Sequence, residues 1–209
     1  MLRVGTTSGI AKAEWSQADH LAPEHPFFLL PLRCSRYLID IEALLKPAEV
    51  AATRSQAVVF CLPSFDPEWA LAVRWPKYRS VASVILQEAT ASIWLAEGLA
   101  VDIARYEMEL DRTITADACQ IWRAMLEQIA DSDCDGLDGV SYHFVFEGHR
   151  SIPLVGQTWS PDPRTNPGHL VTLCECLRQY AKGNSTMESV QGEIQWFREQ
   201  TTLLTDPDE

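Results

Sequence analysis

Two histidines lie close together in the chain and are the first candidates for chemistry. His143 and His149 flank a predicted hairpin turn, with Asp138 and Glu147 nearby, and imidazole and carboxylate groups are common metal ligands. No HxH or HExxH spacing accompanies them, so hydrogen-bonded or surface histidines are the favoured interpretation. A metal-dependent hydrolase that uses His143 and His149 is kept as an alternative, and we predict no catalytic residue and no enzyme activity.

A run of acids copies the opening of a calcium-binding EF-hand loop. Asp131, Asp133 and Asp135 fall on its first three ligand positions, and Gly136 falls on its invariant glycine. The position that requires a bidentate glutamate is occupied by Tyr142 instead. The pattern therefore favours a solvated connection between a helix and a strand, and we predict no cofactor.

The cysteines give no sign of a metal site or of disulfides. Cys174 and Cys176 lie in a helical pattern, where residues two apart point in different directions, so they do not form a zinc knuckle. The first 25 residues lack a secretory signal pattern, and we expect a cytoplasmic protein with reduced cysteines. The sequence also lacks a glycine-rich phosphate loop and a G-x-S-x-G nucleophile motif.

The net charge of −12 is concentrated in two segments. Residues 100–139 contain ten acidic and three basic residues, and residues 186–209 contain six acidic residues and one basic residue. An acidic surface repels nucleic acids and anionic membranes and attracts basic partners. We therefore predict a basic protein partner, no nucleic acid and no membrane. The predicted partner-binding residues are Asp102, Glu107, Glu109, Asp131, Asp133 and Asp135.

Alternating apolar and polar residues predict a series of strands. The clearest strand has Val140, Tyr142, Phe144 and Phe146 on one face and continues through a turn into a second strand, which ends near Ser160. Further strands are predicted at residues 57–62, 69–75, 81–87, 91–97 and 101–110. The last segment also fits a helix that joins Leu99, Ile103, Tyr106 and Leu110.

Helical spacing of apolar residues predicts two helices beside this hairpin. The first covers residues 115–130, with Thr115 as its N-cap. The second covers residues 167–182, with Asn166 as its N-cap and Pro167 in its first turn. Further helices are predicted at 188–204 and at 39–56, the latter interrupted at Pro47.

Strands joined by short turns, with the helices segregated from them, predict an α+β fold with a mainly antiparallel sheet and helices packed on one face. The opposite face and the acidic rims would then remain for a partner. We predict an N-terminal arm at residues 1–60, an α+β core domain at 61–185, and a C-terminal helix with an acidic tail at 186–209. Among seven tryptophans, some are expected to be exposed and to serve as binding anchors.

Three runs of residues carry a resemblance to known proteins. They are LDGVSYHF at 137–144, GQTWSP at 156–161, and Leu170-Val171-x-Leu173 followed by Leu177 and Tyr180. This region, roughly 110–182, resembles a group of small, uncharacterised bacterial proteins that are similar to immunity or accessory proteins of contact-dependent toxin systems, including type VI secretion. The resemblance implies an antitoxin that covers a secreted toxin, and it supplies no catalytic residue. A structural or scaffold component of a secretion system is the remaining alternative.

Overall fold

The computed structural model describes residues 19–23, 53–76, 81–96, 99–130, 138–148 and 152–200. These residues form six strands and three helices. The strands are β1 (Thr53–Pro63), β2 (Trp69–Pro76), β3 (Ser83–Ala89), β4 (Ile103–Glu109), β5 (Val140–Gly148) and β6 (Leu154–Trp159). The helices are α1 (Arg112–Glu127), α2 (Asn166–Ala181) and α3 (Met187–Gln200).

The strands form one antiparallel sheet in the order β4-β3-β2-β1-β5-β6. In its centre, Val59 of β1 pairs with Leu71 of β2 on one side and with Phe144 of β5 on the other. All three side chains are buried in the main core on the face that the helices cover. The predicted α+β fold, with an antiparallel sheet and helices packed against it, is confirmed.

The core joins the helices to the sheet through large apolar side chains. Trp122 of α1 is fully buried, and its ring meets the Phe144 ring edge-on at a centroid distance of 6.0 Å. Its indole N–H donates to the Val58 carbonyl oxygen over 3.3 Å. Helix α3 adds the buried Phe197 and packs against α1 and α2. Helix α1 is therefore fixed to the sheet by both apolar burial and a directed hydrogen bond.

Both predicted N-caps are displaced in the structure. Asp111 caps α1, because its carboxylate accepts from two backbone N–H groups of the first turn, whereas the Thr115 hydroxyl donates to the Asp111 carbonyl oxygen over 2.8 Å. Thr165 caps α2, accepting from the Gly168 N–H over 3.2 Å, and Asn166 is already helical. Each cap uses a short oxygen-bearing side chain, as expected, at a different position from the predicted one.

Two segments differ from the predicted secondary structure. Residues 53–56, predicted as the end of a helix, begin β1, because pairing with a neighbouring strand on each side outweighs their helical pattern. Residues 91–96, predicted as most of a strand, form a tight turn. The other predicted strands and the helix beginning near residue 188 are confirmed. The boundary placed after residue 60 falls inside β1, and most of the predicted arm lies outside the described residues.

The centre of the sheet face opposite to the helices is buried. Val58, Ala72 and Ile85 lie there side by side on β1, β2 and β3 and are each at most 6% exposed. The centre of this face is therefore not exposed to a partner, unlike the expectation for the opposite face. Its exposed part lies on the edge strand β4, where every second residue points to solvent.

The hairpin of β5 and β6 contains two of the runs that carry the resemblance, and their small residues are structural. A Cβ on Gly139 would lie 2.5 Å from the Ser160 Oγ, and one on Gly156 would lie 2.9 Å from a Leu126 methyl group of α1. Ser160 has a φ of 36°, and its Oγ accepts from the Val140 N–H over 3.0 Å. These residues allow close backbone approach and contribute no reactive group.

Candidate functional site

Three of the six predicted partner-binding acids lie on or beside the edge strand. Asp102 precedes β4, and Glu107 and Glu109 lie on it, all exposed. The Glu107 carboxylate is 3.1 Å from the Arg105 guanidinium, so its charge is locally balanced. The other three acids, Asp131, Asp133 and Asp135, lie outside the described residues. The structure therefore brings Asp102, Glu107 and Glu109 to one margin of the sheet.

A second feature, which charge counting missed, lies at one end of the sheet. The turn between β1 and β2 and the connection between β3 and β4 both lie at this end. They expose four large apolar side chains to solvent: Phe65 at 66%, Trp94 at 47%, Leu95 at 55% and Leu99 at 77%. Exposed apolar residues grouped on neighbouring loops are typical of a protein-binding site.

The backbone that carries Trp94 is held by a buried carboxylate. Glu68, immediately before β2, is fully buried, and its two oxygens accept from the Ile93 N–H over 2.7 Å and from the Trp94 N–H over 3.0 Å. The Ser92 hydroxyl oxygen accepts from the Leu95 N–H over 3.3 Å. Glu68 thus caps the two backbone N–H groups of this turn although it lies 25 residues before Ile93 in the chain, and it holds the turn against the sheet.

A small apolar cluster lies beneath the same turn. Ile93 and Ala89 are buried there, with Leu62 and Val101 packed against them. The ends of the connection are joined, since the Thr90 N–H donates to the Asp102 carbonyl oxygen over 2.9 Å. Because Ile93 points inward, the residues that follow it are turned outward at fixed positions.

Three exposed carboxylates lie at the same end of the sheet as these apolar side chains. Asp66 follows Phe65, Asp102 closes the β3–β4 connection, and Asp138 precedes β5, and all three are exposed. Asp138 belongs to the same end because Ser64 is hydrogen-bonded to Gly139 through both backbone and hydroxyl groups at 2.9–3.0 Å. We call the apolar and acidic residues together the sheet-end surface: Phe65, Asp66, Trp94, Leu95, Leu99, Asp102 and Asp138.

Of the two histidines considered for metal chemistry, His143 and His149, the structure describes only His143. His143 is 6% exposed and lies on the β5 face opposite to the helices, paired with Phe60 and Gln157 in the neighbouring strands. His149 lies outside the described residues. Within the residues that the structure describes, no group of three or more His, Cys, Asp or Glu side chains could hold a metal ion.

The cysteines that the structure describes include buried thiols. Cys174 of α2 is completely buried, whereas Cys176 is partly exposed, in agreement with their different predicted directions. Burial raises the pKa of the Cys61 thiol to about 12, although a hydrogen bond with Tyr142 opposes this shift. Such a thiol stays protonated and is a poor nucleophile near neutral pH.

None of the described helices has the length and apolar character that crossing a membrane requires. Comparison with protein-family models, with curated proteins and with solved structures gives no match to this chain. The sheet-end surface, with its exposed apolar side chains and carboxylates, is therefore the candidate site.

Proposed function

We propose that this protein is a non-enzymatic binding protein that covers a basic surface of another protein with its sheet-end surface. The observation that carries the proposal is the group of four exposed apolar side chains on two adjacent loops, one of which is fixed by the buried Glu68. Aromatic and large aliphatic residues in such positions supply most of the energy of many protein interfaces.

The fixed backbone supports tight binding. A loop that is already ordered loses little conformational freedom on association, so more of the contact energy remains as affinity. The two hydrogen bonds to Glu68 and the buried Ile93 hold the loop before any partner arrives.

The charge supports a basic partner. Asp66, Asp102 and Asp138 lie at the same end of the sheet as the apolar group, in a protein whose net charge is −12. Opposite charges around an interface accelerate association, and like charges discourage wrong partners. A nuclease or another protein with a cationic cleft has the required chemistry.

More specifically, we propose that the protein is a bacterial immunity protein that acts in the cytoplasm and neutralises a toxin by covering its surface. The sequence resemblance to immunity and accessory proteins of contact-dependent toxin systems supports this form, as does the acidic charge. A scaffold protein of a secretion system would use the same surface without cancelling any toxicity.

Co-expression with the products of the adjacent genes tests the proposal. We expect one of these products to be basic and to arrest growth alone, and we expect wild-type protein to restore growth and to form a complex with it. A matched pair of double variants, Trp94→Ala/Leu95→Ala and Val81→Ala/Ile152→Ala, removes exposed apolar residues at opposite ends of the sheet. Growth should be lost only with the first. Equal protection by both variants, or a chain that protects against none of these products, would contradict the proposal.

A further inference from the structure

A pocket of about 270 Å³ lies between β5, the residues that follow β6, and the first turns of α2. Its walls include Val140, Tyr142, Pro161, Pro163, Val171 and Thr172. Pro163 and Thr172 are exposed and lie at its opening to solvent. None of these residues belongs to the sheet-end surface.

The hydroxyl groups of the lining are already used in hydrogen bonds within the protein. The Thr172 hydroxyl donates to the Gly168 carbonyl oxygen over 3.0 Å, and the Ser160 Oγ accepts from the Val140 N–H over 3.0 Å. The Tyr142 hydroxyl is hydrogen-bonded to the Cys61 sulfur. The surface left for a ligand is therefore mostly valine, proline and the tyrosine ring, which suits an apolar group.

The walls of this pocket are rigid. A Cβ on Gly168 would lie 2.0 Å from the Asp162 carbonyl oxygen, so the start of α2 and the preceding loop are in direct backbone contact. The Asp162 carboxylate accepts from the Arg164 N–H and from its guanidinium, both over 2.9 Å. Ser160 keeps a left-handed backbone at φ 36°, a conformation that costs free energy and persists where the surroundings fix it. The pocket is thus preformed.

Its size and position select the occupant. The volume of about 270 Å³ lies just below the range of about 300–1,000 Å³ that is usual for drug-sized ligands, and one large side chain fits within it. It also adjoins the sheet-end surface, because Gly139, next to Val140 in the wall, is hydrogen-bonded to Ser64, next to Phe65. The exposed Asp138 lies between the two features in sequence and favours basic neighbours around the incoming group.

We propose that this pocket receives one aromatic or branched aliphatic side chain, flanked by basic residues, from the protein that docks on the sheet-end surface. This inference rests on the proposed function, because the side chain would belong to the basic partner protein. The chemistry of the pocket itself is testable without that molecule.

The test is an NMR titration of the full-length protein with N-acetyl-L-phenylalaninamide, with N-acetyl-L-lysinamide as the control probe. We expect saturable shifts of the Val140, Val171 and Thr172 amide signals by the aromatic probe, with a Kd on the order of millimolar for so small a ligand. The lysine probe should leave these signals unchanged. Absence of saturable shifts at these three amides with the aromatic probe would overturn the inference.

A blocking variant sharpens this experiment. Thr172→Trp places a large ring at the exposed opening and should weaken binding of the aromatic probe at least about tenfold, whereas the same substitution at the exposed Gln191 of α3 should leave it within about twofold. The smaller Thr172→Ala retains the pocket if the tryptophan variant fails to fold, and it should still bind. Wild-type affinity in a folded Thr172→Trp variant would also overturn the inference. If the aromatic probe does not bind but the wild-type protein still forms a complex with the basic partner, only the pocket inference is refuted. If the wild-type protein forms no complex with any basic partner, the proposed function is refuted.

Discussion

The two ends of the sheet expose apolar side chains in different ways. At the end that carries the sheet-end surface, Trp94 and Leu95 lie on a turn that Glu68 closes from below. At the opposite end, the described residues expose Val81 at 57% and Ile152 at 87%, one before β3 and one before β6. Isolated exposed apolar residues are common on protein surfaces, whereas a group on an ordered backbone indicates a contact site. The two ends differ in the hydrogen bonds that hold the backbone under each exposed side chain. Exposure alone would select Ile152 as the best candidate for a binding residue.

The largest expected effect comes from removing that support. Glu68→Ala leaves the buried Ile93 N–H and the partly buried Trp94 N–H without their side-chain acceptor, and we expect a loss of about 2–4 kcal/mol in the free energy of unfolding. Amide exchange at residues 93 and 94 should accelerate more than exchange in β5. Chemical denaturation and hydrogen exchange measure both effects. If the turn stays protected in this variant, Glu68 does not hold the surface.

The second-largest expected effect on stability comes from the close packing of Gly139, which follows Asp138. The Cβ of Gly139→Ala would lie 2.5 Å from the Ser160 Oγ and 2.6 Å from the Trp159 ring, so we expect a loss of about 1–3 kcal/mol in the free energy of unfolding. The control is Gly192→Ala on α3, where nothing lies within 4 Å of an added Cβ. It should stabilise the protein by about 0.5–1 kcal/mol, because alanine favours a helix. Equal effects in thermal unfolding would contradict the packing at Gly139.

Glu88, near the same end of the sheet, stabilises the fold through ion pairs with Arg178 of α2 and with Lys182 beside α2. Burial favours the neutral form of Glu88, but hydrogen bonds from Lys182 and Arg178 outweigh it and hold the pKa of Glu88 below its usual value of 4.5. A lowered pKa contributes stability above the unfolded-state pKa, and this contribution is lost as pH falls below about 4.5. Glu88→Gln should therefore show a shallower decline of unfolding free energy below pH 4.5 than wild type. Parallel declines in acid denaturation would contradict this linkage.

The exposed carboxylates should have the smallest effect, and it should appear in kinetics. Replacing Asp66, Asp102 and Asp138 together by Asn should lower the association rate with the basic partner by about 3–10-fold at low salt, with little change in the dissociation rate. The control replaces Glu188, Glu193 and Glu199 of α3 by Gln, which removes the same charge elsewhere. Stopped-flow association at two salt concentrations separates the variants, and a salt-independent rate in wild type would contradict steering.

The sheet was largely predictable from sequence because its strands alternate in pattern and are joined by short turns. Phe144 and its alternate neighbours identified the core face of β5 without any long-range information. The segment 91–96 was wrongly predicted, because its apolar residues suit a strand while its turn is closed by Glu68, which lies 25 residues before Ile93. No local sequence pattern reveals a hydrogen-bond acceptor that lies 25 residues away in the chain.

The site was predicted less well than the fold. Of the predicted partner-binding acids, Asp102 lies at the end of the sheet that carries the proposed surface, whereas Glu107 lies on β4 beside Arg105. Phe65 and Leu99 have no sequence signal that separates them from core residues, because exposure depends on which loops meet at the same end of the sheet. The abundance of tryptophan did indicate that some would be exposed, and Trp94 is one of them.

The most direct test of the central claim is the Kd of the basic partner for two double variants, measured by calorimetry. Trp94→Ala/Leu95→Ala should weaken binding by about 100-fold, since each residue is expected to act as an interface anchor, while the variant stays folded at the temperature of the measurement. Val81→Ala/Ile152→Ala should change the Kd by less than about twofold. A larger loss from the second variant, or equal losses from both, would contradict the assignment of the binding site to the sheet-end surface.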